Sequence, residues 1–167
     1  LCKAYNLFMK FRVYVETSVI SYLTARPSRD LSIAARQQSS LQLWESQDQY
    51  ELVVSDLVLS EATAGDADAA QARRAWMKDL MVLPVDDDAE AVADALVERG
   101  AMPAAAYADA LHIGIAASHQ IEVIASWNFR HIASVWARSR IEAALSELGY
   151  PACRIATPDE LTEGELQ

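Results

Sequence analysis

The amino-acid sequence predicts an α/β fold, with a central, mainly parallel sheet of about five strands and helices on both faces. Three observations carry this. Five short runs rich in apolar and β-branched residues recur at 11–15, 52–55, 82–85, 121–125 and 154–156. Segments with helical periodicity and helix-start signals lie between them, the alternation of parallel strands joined by crossover helices. The chain has 167 residues and is 52% hydrophobic, enough for one core, with no internal repeat, low-complexity tract or linker.

The elements follow in order. Phe11-Arg12-Val13-Tyr14-Val15 reads as a buried strand, apolar without strict alternation. Thr17 or Ser18 can cap the next helix, which reaches about residue 24 and breaks near Pro27. A second helix is expected over 31–47, with Ile33, Leu41 and Trp44 among its apolar positions. After the strand at 52–55, Ser55 or Asp56 caps a short helix that ends near Gly65. Asp66 opens the next, to about residue 80. Following the strand at 82–85, Asp86, Asp87 and Asp88 open a helix to about residue 99, where their charge suits the helix dipole. This solvated helix start is preferred over a metal cluster. Pro103 suits the first turn of the Ala-rich helix after it. Beyond the strand at 121–125, residues 131–148 read as a long amphipathic helix ending at Gly149. The natural start is expected at Met9, with 1–8 an upstream or non-native segment, 9–161 a single domain and 162–167 a C-terminal tail.

Composition narrows the function. Cys2 and Cys153 are far apart and lack metal-type spacing, so a disulfide framework is disfavoured and a reducing cytoplasm is expected. No apolar run is long enough to span a bilayer, and no secretory pattern opens the chain. The formal net charge of −10 argues against tight nonspecific nucleic-acid binding. Local positive charge is still available. Arg26, Arg29 and Arg36 follow the first strand, and Arg130, Arg138 and Arg140 follow the strand at 121–125. The two groups converge if both strands are central. Trp44, Trp76, Trp127 and Trp136 are too dispersed for a stacking strip.

Four segments each deliver one polar or acidic residue at an apolar stretch. They are Val13-Tyr14-Val15-Glu16-Thr17-Ser18, Val58-Leu59-Ser60-Glu61, Tyr107-Ala108-Asp109-Ala110-Leu111-His112 and Ala125-Ser126-Trp127-Asn128-Phe129. Acids in apolar surroundings cost free energy unless compensated. A divalent cation is the usual compensation for acids converging from distant parts of a chain. In open parallel sheets, ligands bind beyond the carboxyl ends of the strands. Glu16 and Asn128 both lie just past apolar strands, which puts them in one site.

Each residue has a plainer reading beside this one. Glu16 can simply cap its helix, and Glu61 can be a partly exposed helical Glu. Asp109, among Ala106, Ala108, Ala110, Leu111 and Ile113, needs a partner or a metal. His112 is one turn later on the same side. It is read first as a satisfied core histidine, then as a support or weak ligand. Asn128 cannot be a charged ligand or an acid–base catalyst, but it hydrogen-bonds in both directions. Thr17, Ser18 and Ser126 offer short hydroxyls nearby. No Gly-rich phosphate loop, Ser-His-Asp order or zinc spacing occurs. A dehalogenase-like phosphatase needs an Asp nucleophile and a second Asp two residues on. Those positions are Glu16 and Ser18.

Taken in order, the four segments resemble the PIN-domain ribonucleases, and among them the VapC-like toxins of toxin–antitoxin pairs. The resemblance runs from about residue 10 to residue 161. It includes Glu16-Thr17-Ser18, with Glu where Asp is commoner, Glu61, Asp109, and Ser126-Trp127-Asn128-Phe129-Arg130-His131. Tyr22-Leu23-Thr24-Ala25-Arg26-Pro27-Ser28-Arg29-Asp30 and Thr157-Pro158-Asp159-Glu160-Leu161 also look like one subgroup of these toxins. The resemblance implies a PIN-like three-layer α/β/α fold and metal-dependent cleavage of single-stranded or loop RNA. Glu16, Glu61, Asp109 and Asn128 would be catalytic, with the three acids holding Mg²⁺ or Mn²⁺. Thr17, Ser18, Ser126 and His112 would support them, and Arg26, Arg29 and Arg130 would touch RNA. It further implies an antitoxin partner and a homodimer. The competing expectation is a catalytically weak or inactive PIN-like module that binds RNA or a protein.

Overall fold

Val13, Tyr14 and Val15 are completely buried, because their strand, β1 (Phe11–Val15), is paired on both sides. A strand with neighbours at both edges and helices on both faces leaves no surface for polar side chains. The computed structural model describes residues 10–163. The expected upstream segment 1–8, Met9 and residues 164–167 lie outside the described residues. After β1 come α1 (Thr17–Thr24), α2 (Leu31–Glu45), β2 (Tyr50–Ser55), α3 (Asp56–Ala62) and α4 (Ala67–Met77). The chain continues through β3 (Met81–Leu83), α5 (Asp87–Glu98), a 3₁₀ turn (Ala104–Ala106), α6 (Tyr107–Ser118) and β4 (Val123–Ala125). It ends with α7 (Val135–Glu147), β5 (Arg154–Ala156) and α8 (Pro158–Glu163).

All five strands are parallel, in the order β3-β2-β1-β4-β5. The chain first moves outward from β1 to β3, then returns across the sheet to β4. That reversal makes a switch point between β1 and β4, where adjacent connections leave in opposite directions. Val15 lies opposite Ala125, so Glu16 and Ser126 emerge side by side. The Glu16 N–H donates to Ala125 O at 3.1 Å. Helices α1, α2, α3, α4 and α8 pack together as one layer, and α5, α6 and α7 as the other. The expected three-layer α/β/α arrangement is the one that forms. No described helix is long and apolar enough to cross a membrane.

Several boundaries differ from the sequence reading, each for a local reason. Glu16, not Thr17 or Ser18, caps α1, accepting from the Ser18 N–H. β3 stops at Leu83 because Pro84 has no N–H for the ladder. The helix expected from residue 131 starts at Val135, capped by Ser134. Asn128 holds the preceding turn, its carbonyl accepting from Ile132 and Ala133 at 3.0 and 2.7 Å. Pro103 leads into the 3₁₀ turn rather than directly into α6. β2 begins earlier than expected, β4 later, and α2, α3 and α4 end a turn or less sooner. Helix α8 was not anticipated, and it carries the chain past Leu161 to Glu163. Its sequence signal is Thr157-Pro158-Asp159-Glu160, a reciprocal capping pattern.

Gly114 sets the approach of α5 and α6. A Cβ built there would lie 2.1 Å from Ala89 O, on helix backbone that cannot swing aside. Ala89, Ala93 and Ala110 are fully buried around this contact. Gly114→Ala should therefore force the helices apart and cost about 1–3 kcal/mol. A denaturant midpoint equal to the parent's would show that the close approach is dispensable.

Glu160 ties α8 to α7. Its carboxylate accepts from Arg138 at 2.8 and 3.0 Å and from the Thr157 N–H at 2.7 Å. Burial pushes its pKa up, but Arg138 and Thr157 outweigh that and hold it below the ordinary 4.5. A depressed folded-state pKa gives stability that is complete above the unfolded value. It is lost as pH falls through the folded one. Glu160→Gln should thus melt lower than the parent near neutral pH, with the gap closing below pH 4.5. A gap that persists in acid would assign Glu160 no electrostatic role.

Candidate active site

The buried polar residues Glu16, Ser55, His112 and Ser126 share the carboxyl edge of the sheet. Buried polar groups need partners: Ser126 meets Glu16, while Ser55 and His112 both meet Tyr14. The 5% exposed Glu16 accepts through Oε2 from the hydroxyls of Ser18 and Ser126, at 2.5 and 2.8 Å. Its Oε1 accepts from the Ser18 N–H at 3.1 Å. Ser18 Oγ also accepts from the Trp127 N–H at 2.9 Å, stitching the β4 exit to the start of α1.

Glu61 reaches the same place from α3. Its Oε2 accepts from Thr17 Oγ1 at 2.5 Å and lies 3.0 Å from His112 Nε2. Partial burial raises the Glu61 pKa, but the bonds from His112 and Thr17 outweigh this and lower it overall. With Glu61 ionised, Nε2 must be the donor. His112 Nδ1 lies 2.7 Å from the Tyr14 hydroxyl, which lies 2.7 Å from Ser55 Oγ. Burial raises the Tyr14 pKa far above its ordinary value, so the phenol keeps its proton and can donate to His112 Nδ1. Both nitrogens of this buried histidine are satisfied within the protein.

The ligand atoms of Glu16, Glu61 and His112 all lie within 4.8 Å of one another. Asp109 is not in that group. It is partly exposed on α6, and its Oδ1 accepts from Asn128 Nδ2 at 2.9 Å. Asn128 Oδ1 in turn accepts from the His131 N–H at 3.1 Å, and the Asn128 N–H donates to Ser126 Oγ at 3.0 Å. Asp109 therefore has the partner its apolar helix demanded, and that partner joins it to Ser126 and Glu16. Arg26, Arg29 and Arg130 are exposed. Arg36 does bring the two arginine-bearing regions together, its guanidinium lying against Tyr22, Trp127 and Phe129. Trp44 and Trp76 pair elsewhere, 5.7 Å between centroids.

Tyr14 and Ser55 are absent from the expected site residues. A tyrosine within an otherwise aliphatic central strand was the available signal, since a buried phenol needs a partner. Nothing in the sequence says that the partner is His112.

Residues 13–135 match the PIN domain family. The chain belongs to the PIN domain family. No curated protein matches it. Among solved structures, the PIN domain is similar to VapC20 of Mycobacterium tuberculosis, described as a sarcin-ricin loop cleaving toxin. Identity is 18%, coverage 84% of this chain and 97% of that one, and the TM-score 0.55. It is also similar to VapBC2 of Rickettsia felis bound to a DNA fragment from their promoter. There identity is 11%, coverage 88% and 98%, and the TM-score 0.54. At these identities the likeness is one of fold.

Because Asn128 Nδ2 lies 2.9 Å from Asp109 Oδ1, Asn128→Asp would set two carboxylates against each other in this PIN domain. The variant should be less stable than the parent in chelator, by on the order of 1 kcal/mol. Millimolar Mg²⁺ should recover more stability for it than for the parent. Melting curves in chelator and in Mg²⁺ that overlay the parent's would remove Asn128 from the site.

Proposed function

We propose that this PIN domain is a Mg²⁺- or Mn²⁺-dependent endoribonuclease, the toxin of a toxin–antitoxin pair in the cytoplasm. Its partners would be an RNA substrate, a cognate antitoxin and a second copy of itself. The observation that carries the reading is the Glu16–Glu61–His112 cluster at the switch point of a PIN fold. Asp109 stands three residues before His112 on the same helix. PIN and VapC proteins are nucleases, and one structural neighbour is described as a sarcin-ricin loop cleaving toxin.

The donor set suits a hard cation. Three carboxylates present oxygen, the ligand such ions prefer. Glu61 Oε1 and Asp109 Oδ2 accept no hydrogen bond among the described residues, so each has lone pairs to offer. His112 is committed to Glu61 and Tyr14, which makes it a support rather than a ligand. Glu16, Glu61 and Asp109 would hold the ion. A bound divalent ion activates water and neutralises charge at a phosphate.

The remaining work belongs to the chain. Ser18 and Ser126 orient Glu16, whose extra methylene reaches further into the site than Asp would. Thr17 and His112 keep Glu61 ionised and aimed. Asn128 fixes the rotamer of Asp109 and is itself locked by His131 and Ser126. Single-stranded or loop RNA is the expected substrate, because unpaired nucleotides leave backbone and base edges accessible.

Asp109→Asn keeps the size of the side chain and removes its charge. RNA cleavage in Mg²⁺ should fall by about two orders of magnitude or more, while the melting temperature in chelator stays near the parent's. The parent should gain melting temperature with added Mg²⁺, and the variant much less. Equal cleavage by both proteins would make Asp109 structural. A parent that neither cleaves RNA nor responds to the metal would leave the binding-module reading, which the Asn at 128 favours.

A further inference from the structure

Arg36 is an unusual arginine for a chain of net charge −10. No carboxylate pairs with its side chain among the described residues. Its guanidinium carbon instead lies 5.7 Å from the ring centroids of Tyr22 and Trp127 and 5.2 Å from that of Phe129. A single side-chain hydrogen bond, Nη1 to Tyr22 Oη at 2.9 Å, holds it. Guanidinium has five N–H donors, so most of its donor capacity is unspent among the described residues.

The rings are anchored to the site. Trp127 is buried and donates from Nε1 to Ser40 Oγ at 2.8 Å. Its backbone N–H meets Ser18, which also binds Glu16. Phe129 follows directly on Asn128, the residue that holds Asp109. Unlike Trp127, Phe129 is 42% exposed. An exposed ring backed by an unpaired cation is poorly explained by packing alone. It fits a planar, electron-rich group joined to a negative charge, which is the chemistry of a nucleotide.

We propose that Phe129 and Arg36 form a nucleotide subsite at the rim of the active site, where an unpaired RNA base stacks on Phe129 and a neighbouring phosphate binds Arg36. This rests on the RNA-cleaving reading above. The subsite supplies positive charge at a fixed place beside the rings. It sits beside the acids rather than among them, so it sets which nucleotide is held next to the cleaved bond. Arg26, Arg29 and Arg130 would then add only diffuse attraction.

The test uses the whole chain and a single-stranded RNA of about ten nucleotides carrying 2-aminopurine, in chelator so that metal-dependent cleavage does not intervene. Binding to the parent should quench the 2-aminopurine emission through stacking. Phe129→Leu keeps apolar bulk at an exposed position and so should keep the fold. It should weaken binding about tenfold and lose the quenching. Arg36→Gln should reduce the slope of log K against log salt by about 0.7, the share of one phosphate contact. In Mg²⁺, both variants should raise KM with little change in kcat. If the parent binds and cleaves while both variants match it in affinity, quenching and salt slope, the subsite is overturned and the nuclease reading stands. If the parent binds no RNA, both fall. Should Arg36→Gln not fold, the Phe129→Leu result decides.

Discussion

The structure depends on keeping one carboxylate out of water. Glu16 ends the central strand at a point where the sheet, both helix layers and the β4 exit meet. An acid this deeply buried is costly unless its oxygens are satisfied. Ser18 and Ser126 provide the donors, and each has a further duty. Ser18 receives the backbone of Trp127, and Ser126 receives the backbone of Asn128. Satisfying Glu16 therefore determines how the chain leaves β4. That exit in turn positions Asn128 on Asp109 and Phe129 beside Arg36.

A second chain of hydrogen bonds crosses the molecule in the other direction. Glu61 comes from one helix layer and His112 from the other, and they meet beyond the end of the sheet. Tyr14, rooted in β1, fixes the imidazole from below and is itself bound to Ser55 at the end of β2. Every member sits on a regular element or at its end, so the cluster inherits the rigidity of the sheet. If Glu61 holds a cation as proposed, this rigidity means it loses little freedom on binding. The Gly114 contact serves the same end, since it allows α6, with Asp109 and His112, to lie close on α5.

Electrostatics divides the molecule. The chain as a whole repels a polyanion, yet Arg36, with no carboxylate partner among the described residues, lies against Trp127 and Phe129 at the β4 exit. Long-range attraction of a polyanion is weak under this arrangement. On the proposed reading, discrimination among RNA segments would be left to local fit more than to charge. Two of the arginines that follow β4 are held by other parts of the fold. Arg138 is bound to Glu160 and the Ala133 carbonyl, and Arg140 to the Ala101 carbonyl.

The sequence by itself determined what local chemistry can determine. Apolar runs located all five strands, and Ser55, Asp66 and Asp86 are caps that act within a few residues of themselves. Strand–helix alternation was enough to put Glu16 and Asn128 at one end of a parallel sheet. The four polar positions also stood out, because an acid or amide in an apolar run is conspicuous without any partner in view. Only the tertiary structure decided the partners. Tyr14 meets His112 across 98 residues and Ser126 meets Glu16 across 110. No local pattern encodes such pairs, because strand order and register set them. Asn128, held on Asp109 nineteen residues away, takes the N–H groups of residues 131–133 and delays α7. Tertiary packing also placed His112, rather than Asp109, nearest to Glu16 and Glu61. Periodicity tells which residues leave water, but the packing of distant elements chooses which buried groups must satisfy each other.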